Sequence, residues 1–223
     1  MTPEQSAARG GAGARTRERI VDAAARVMER DGLVRATTKE IAREAGCSEA
    51  ALYKYFRDKT DIFVHVLTER LPRLAGLLRA LPERAGTATV EEHLVETVRT
   101  ALRFYRRSVP MAASLYAQPK LLAAHRDQLR GSGDGPQKPA EWLAGYLRTE
   151  QRLGRIDPSA DPEAAAALLI GSAYQRAFLS SFLTDPAEPE APADLGGLGE
   201  AGDAEYARKI VRTLLDGLTG SSA

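Results

Sequence analysis

"TTKEIAREAGCSEAALYKYFRDKTDI", residues 37–62, sets three helix starts and one tight turn inside a short span. Thr37 and Glu40 have the T-x-x-E spacing of a capping box, in which each side chain satisfies a backbone N–H left open at a helix start. Ile41 and Ala45 then fall one turn apart, on the side such a helix buries. Gly46 ends it, because a left-handed backbone costs glycine little. Ser48 caps a second short helix almost at once, with Leu52 and Phe56 directed inward. Asp58 opens a third, with Lys59 in its first turn. A connection of about three or four residues between the first two helices is that of a helix-turn-helix unit.

Glu49, Ala50, Tyr53 and Lys54 are left on the outer side of the second helix. Small side chains allow close approach to a major groove and can meet a thymine methyl, while Lys54 can reach guanine O6/N7 or a phosphate. An ordinary helical hairpin with a solvated outer face has the same spacing, so the pattern alone leaves both readings open.

Upstream, "TRERIVDAAARVMERDG" repeats Ile20, Ala23, Ala24, Val27 and Met28 at helical spacing, and Gly32 supplies a stop. Residues 1–14, rich in Ala, Gly, Arg and Ser, read as a mobile tail. Downstream, long helical patterns cover 61–81, 90–107, 140–153, 161–183 and 203–218. Shorter ones at 108–117 and 119–130 are set off by Pro110 and Pro119, and Pro72 predicts a kink or break. "GSGDGPQKP" (131–139) and "DPAEPEAPADLGGLGEAG" (185–202) read as loops. No period-2 run occurs, so the expected fold class is all-α. The expected division is a tail (1–14), a three-helix helix-turn-helix head (15–60) and a larger helical domain (61–223).

With 43% hydrophobic and 27% charged residues, the 223-residue chain is not a disordered polymer. Its most apolar stretch, "AAAALLIGSAYQRAFLSSFL", is broken by Gln175 and Arg176 and falls short of a membrane span. No apolar signal segment opens the chain, and Cys47 is its one cysteine, so a soluble cytoplasmic protein without disulfides is expected. Net charge is +1, but residues 1–60 carry twelve basic and nine acidic side chains, so the basic excess lies there.

Together with the preceding "ERIVDAAARVMERDGL", the opening stretch resembles the DNA-binding region of the TetR/AcrR family of bacterial transcriptional regulators. The resemblance runs over residues 16–63 and rests on the Thr-Thr, Ile-Ala, Ala-Gly, Leu-Tyr-x-Tyr-Phe and Asp-Lys elements in register. It implies that Thr38 and Lys39 meet the DNA backbone. It places Ser48, Glu49, Ala50, Ala51, Lys54 and Tyr55 on the recognition helix, and Tyr53 and Lys59 at phosphates. Ala50 stands where glycine is frequent, Cys47 where valine is usual, and Thr60 and Asp61 replace a common lysine–glutamate pair.

The same resemblance implies an effector pocket in the larger domain, for a small apolar or aromatic molecule. Phe104, Tyr105, Tyr116, Trp142, Tyr146, Tyr174 and Phe178 are its candidate lining, although ordinary core packing accounts for aromatic residues equally well. It also implies a homodimer formed by the last two long helices as a four-helix bundle, through Ala167, Leu168, Gly171, Ile210, Val211, Leu214 and Leu218. The expected function is a ligand-responsive regulator, a repressor released from a palindromic double-stranded operator. An architectural DNA binder without a ligand and a helical enzyme with a vestigial head are the alternatives.

Other patterns carry less. Redox sensing by Cys47 lacks a resolving cysteine. "GLGEAG" (197–202) matches G-x-G-x-x-G without the preceding strand a dinucleotide site requires. His65, His93 and His125 lack ligand spacing, and no nucleophile–base arrangement stands out. Neither catalysis, a metal nor a cofactor is called for.

Overall fold

A computed structural model describes residues 3–69, 73–132, 135–183 and 198–217. The described residues form ten helices and no strand: α1 (Pro3–Arg35), α2 (Thr38–Glu44), α3 (Glu49–Leu52), α4 (Lys59–Glu69), α5 (Arg73–Arg84), α6 (Val90–Tyr116), α7 (Pro119–Ser132), α8 (Lys138–Arg152), α9 (Pro162–Leu183) and α10 (Glu200–Asp216). Contacts divide them into two compact units, Met1–Leu71 with Pro110–Gly133, and Pro72–Val109 with Asp134–Ala223.

The first unit closes around the apolar stripe of α1. Ile20, Ala24, Val27 and Met28 pack with Ile41 of α2, Leu52 of α3, Phe56, and Ile62, Phe63 and Val66 of α4; Met111, Leu115 and Leu121 complete the core. Fully burying one such side chain is worth about 1.5–3 kcal/mol. That is what holds α3, whose four residues could not be helical alone. The second unit is built from Leu74, Leu78 and Leu81 of α5, Leu94, Val98 and Leu102 of α6, Leu143 and Leu147 of α8, Leu169 and Ala173 of α9, and Ala207 and Val211 of α10. Alanines 144, 166, 173 and 177 line its buried faces, letting helix axes approach closely.

Four features depart from the sequence expectations. Residues 3–14, expected to be a mobile tail, are the start of α1. No proline follows Pro3 there, and each glycine costs a helix only about 1 kcal/mol relative to alanine. Gly32 does interrupt α1, with φ 73°. Pro110 does not end a helix: α6 runs through it, because Val109 on one side and Met111 on the other are buried and outweigh one lost backbone bond. The packing boundary also differs from a cut at residue 60, since α4 and residues 110–132 contribute to the first unit's core. Residues 200–202, expected in a loop, open α10 behind Gly199. The interruption expected at Pro72 lies outside the described residues, as does most of the loop expected at 185–202.

Candidate nucleic-acid interface

The capping box at α2 is complete. The Thr37 hydroxyl accepts the Glu40 backbone N–H at 3.2 Å, and the Glu40 carboxylate accepts the Thr37 N–H at 3.0 Å. The Thr37 hydroxyl, which also donates to Glu40 Oε2 at 2.8 Å, and then the Thr37 N–H hold the Glu40 carboxyl below its usual range. Gly46 follows at φ 64°, a conformation that side chains with a Cβ rarely adopt, and the Cys47 N–H returns to the Ala42 carbonyl at 2.9 Å. Ser48 then caps α3 by accepting the Ala51 N–H at 3.1 Å.

The α-helical part of the recognition element is a single turn. Tyr53, Lys54 and Tyr55 form a turn that continues it, and Phe56 drops back into the core. Lys54 and Tyr55, expected on the helix, therefore lie beyond its last residue. Tyr55 is half-buried and packs against the head's core beside Gly13, so it is not on the outward face. Lys39, Ser48, Glu49, Ala50, Tyr53 and Lys54 are exposed, and Thr38, Ala51 and Lys59 are half-buried.

A hydrogen-bonded chain ties this face together. The Tyr53 hydroxyl donates to Thr38 Oγ1 at 3.4 Å, and the Thr38 hydroxyl donates to Glu49 Oε1 at 2.5 Å. Thr38, expected to meet the DNA backbone, thus has its proton engaged within the protein. Behind the face, Asp58 caps α4 by accepting the Asp61 N–H at 2.8 Å, and Lys59 is the first residue of that helix. Desolvation pushes the Lys59 ammonium below its usual pKa, opposed by the carboxylate of Glu40. A cation at a helix N-terminus opposes the dipole, and a phosphate arriving there would relieve both it and the open N–H groups. Cys47 is half-buried against the same core.

Short capped helices, an outward face of small, hydroxyl and cationic side chains, and a buried scaffold behind them are what a DNA-reading motif requires. Residues 20–66 match the family model described as bacterial regulatory proteins, tetR family. The matched span holds the helix-turn-helix elements α2 and α3. It is 27% identical over 180 residues to the HTH-type transcriptional regulator YdgC of Bacillus subtilis (strain 168), covering 78% of this chain and 87% of that one. A TetR-family regulator of Mesorhizobium loti MAFF303099 superposes with a TM-score of 0.67 at 18% identity, over 91% of this chain and 96% of the other. The regulator FadR of Bacillus subtilis, solved with stearoyl-CoA, does so with 0.60 at 17% identity, over 91% and 99%. At these identities the structural likeness is one of fold. The described residues thus have the all-α fold of these regulators, and the helix-turn-helix region is that of a DNA-binding regulator.

The second unit does not gather the seven aromatic candidates into one lining. Tyr146 is fully buried, its hydroxyl 2.9 Å from His93 Nδ1. Trp142 is half-buried with the Arg79 guanidinium 4.5 Å over its ring. Phe104 and Tyr105 stack edge-on, and Tyr105 meets Tyr174 the same way at 5.4 Å. Tyr174 and Phe178 lie on the exposed side of α9, Phe178 stacked on Phe182, and Tyr116 is 74% exposed in the first unit. Helical spacing correctly put these residues on helices, but the direction of each side chain depends on neighbours remote in sequence. A groove of about 370 Å³ is instead lined by Glu91, Glu92, Val95, Glu96, Arg99, Arg103 and Arg208, none of them a candidate.

Sequence reasoning missed a buried polar set here. Glu150 is wholly buried, with Arg155 Nε 3.3 Å from Oε2 and the Gly86 N–H donating to Oε1 at 3.3 Å. Its signal was available: Glu150 occupies the next core position after Leu143, Tyr146 and Leu147. Arg106 forms two bonds to Asp203, at 2.7 and 2.9 Å, and Arg176 a third at 3.0 Å, joining α6, α9 and α10. No spacing rule links residues so far apart. Burial pushes the Tyr105 hydroxyl up to about 12, raises that of Tyr146, and lowers His93.

Of the dimer candidates, Ala167, Leu168 and Gly171 are exposed, Leu168 by 63%. Ile210 and Leu214 are half-buried against their own core, and Val211 is fully buried in it, so Val211 cannot face a partner. Leu218 lies outside the described residues. Among the described residues no cluster of metal-ligating side chains occurs, and no helix is long and apolar enough to cross a membrane.

Proposed function

We propose that the protein is a homodimeric repressor released from a palindromic operator by a small, largely apolar effector. The observation carrying the DNA-reading part is the outward face of Lys39, Glu49, Ala50, Tyr53 and Lys54 on a short, core-anchored element. Dimerisation is supported by α9, where Leu168, Tyr174, Phe178 and Phe182 leave an apolar stripe uncovered within one chain. Stripes of this kind in a regulator of inverted repeats fit a second copy, whose two-fold axis then matches that of the DNA. The effector reading draws on the FadR fold having been solved with stearoyl-CoA, and on the buried Tyr146–His93 pair as an orienting polar contact in an apolar interior.

The test is selection of bound duplexes from a random pool by the purified protein. The expected product is an inverted repeat with half-sites about one helical turn, roughly 34–36 Å, apart. Long-chain acyl-CoAs and apolar aromatic acids are then titrated while Trp142 fluorescence and operator affinity are followed. A coupling of about 1–3 kcal/mol gives roughly 5- to 150-fold weaker DNA binding, with the reciprocal effect on the effector. A selected operator whose affinity no such compound changes, in cells or in solution, would return the architectural reading. Turnover of a compound would return the enzymatic one.

A further inference from the structure

We propose that Glu49 reads a cytosine in each half-site, and that Thr38 holds its carboxylate in the reading position. The inference rests on the DNA-reading function proposed above and specifies its base preference.

A carboxylate on a DNA-facing surface is at first sight misplaced, since it repels phosphates. Its surroundings point to a use. The Tyr53 hydroxyl donates to Thr38, and the Thr38 hydroxyl donates to Glu49 Oε1. Each hydroxyl has one proton, and both run in the same direction, toward Glu49. One carboxylate oxygen is thereby fixed. Oε2 has no hydrogen-bond partner among the described residues, and the side chain is exposed at the first position of α3. Ala50 follows, too small to hold a base pair away from it.

An ionised carboxylate only accepts hydrogen bonds. The major groove offers it two kinds of donor, cytosine N4 and adenine N6. Adenine N6 is flanked on both sides by acceptors, its own N7 and the O4 of the paired thymine. Cytosine N4 has an acceptor on one side alone, the O6 of its guanine. The charged oxygen therefore meets less repulsion over a C·G pair, and guanine or thymine at that position would face it acceptor to acceptor. The hydroxyl chain makes this a fixed reader rather than a mobile charge, because the rotamer is already chosen before DNA arrives.

The experiment compares binding-site selection from random duplexes by the full-length wild type, Glu49→Gln and Thr38→Val. Glutamine keeps the shape, but with its oxygen held by the Thr38 hydroxyl the atom turned to the DNA is the amide nitrogen, which only donates and suits an acceptor such as guanine O6 or thymine O4. The expected result is cytosine at one column of each wild-type half-site, replaced by guanine or thymine for Glu49→Gln with every other column unchanged. Replacing that cytosine should weaken wild-type binding by roughly 5- to 150-fold. Thr38→Val should keep the cytosine but flatten its preference. A motif identical for wild type and Glu49→Gln overturns the inference and leaves DNA reading intact. No enriched motif with either protein overturns the DNA-reading function itself.

Discussion

Thr37 and Ser48 are exposed side chains whose contribution comes from one backbone bond each, at 3.2 and 3.1 Å. Replacing either by alanine should cost about 0.5–2 kcal/mol, read from urea denaturation. The two should differ in function. α2 has a second cap bond from Glu40, whereas α3 has one turn of helix to lose, so Ser48→Ala should weaken operator binding more than its stability loss accounts for. His93 makes a pH prediction. Burial, then Arg84, lowers its pKa, while Glu150 and Glu96 act in the opposite direction and Arg155 with Arg84. The unfolded chain therefore binds a proton below about pH 6.5 that the folded chain refuses, and stability falls as pH falls through that value. His125 is lowered by burial and adds to the same window, while exposed carboxylates such as Glu92 act only at more acidic pH. His93→Gln should reduce the loss of urea midpoint between about pH 7 and pH 5.5. An unchanged pH slope would assign it to other groups.

At the scale of elements, α3 and α9 are legible to different degrees. Capping residues and the glycine at 46 act through their own backbone neighbours, so the order of helix, turn and helix was written locally. The sequence also marked α9 as apolar. Its pattern was apolar nearly all round, however, and only packing separates Leu169 and Ala173, which are buried, from Leu168 and Phe182, which are not. The interface test accordingly belongs at Leu168. Leu168→Arg should convert a dimer to a monomer in sedimentation, with helicity retained by circular dichroism and operator binding lost. Leu214→Arg, by contrast, would put a charge against the protein's own core and destabilise the fold as well. A Leu168→Arg protein that still sediments as a dimer moves the interface off this face.

For the whole molecule, charge is the property that matters to DNA, and its total of +1 says nothing of it. What counts is where cations stand: Lys39 and Lys54 outward, and Lys59 at the start of α4 under desolvation. Lys59→Ala should weaken binding to all duplexes alike and reduce the slope of log K against log salt by about 1. Lys54→Ala should do the same if it meets a phosphate, or change one column of the selected motif if it meets a base. A Lys59→Ala slope equal to that of the wild type would remove Lys59 from the phosphate contacts.

The all-α class, the capped motif at 37–62 and the core positions Ile41, Leu52 and Phe56 follow from short-range rules, in which a residue's role depends on others within a turn or two. Those were determined by the chain's own order. The Thr38–Glu49–Tyr53 chain, the inward turn of Tyr55, the burial of Val211 and the Arg106–Asp203–Arg176 cluster were not. Each depends on which helix faces which, and helix faces are paired by the summed packing of whole units, a property that no local spacing encodes.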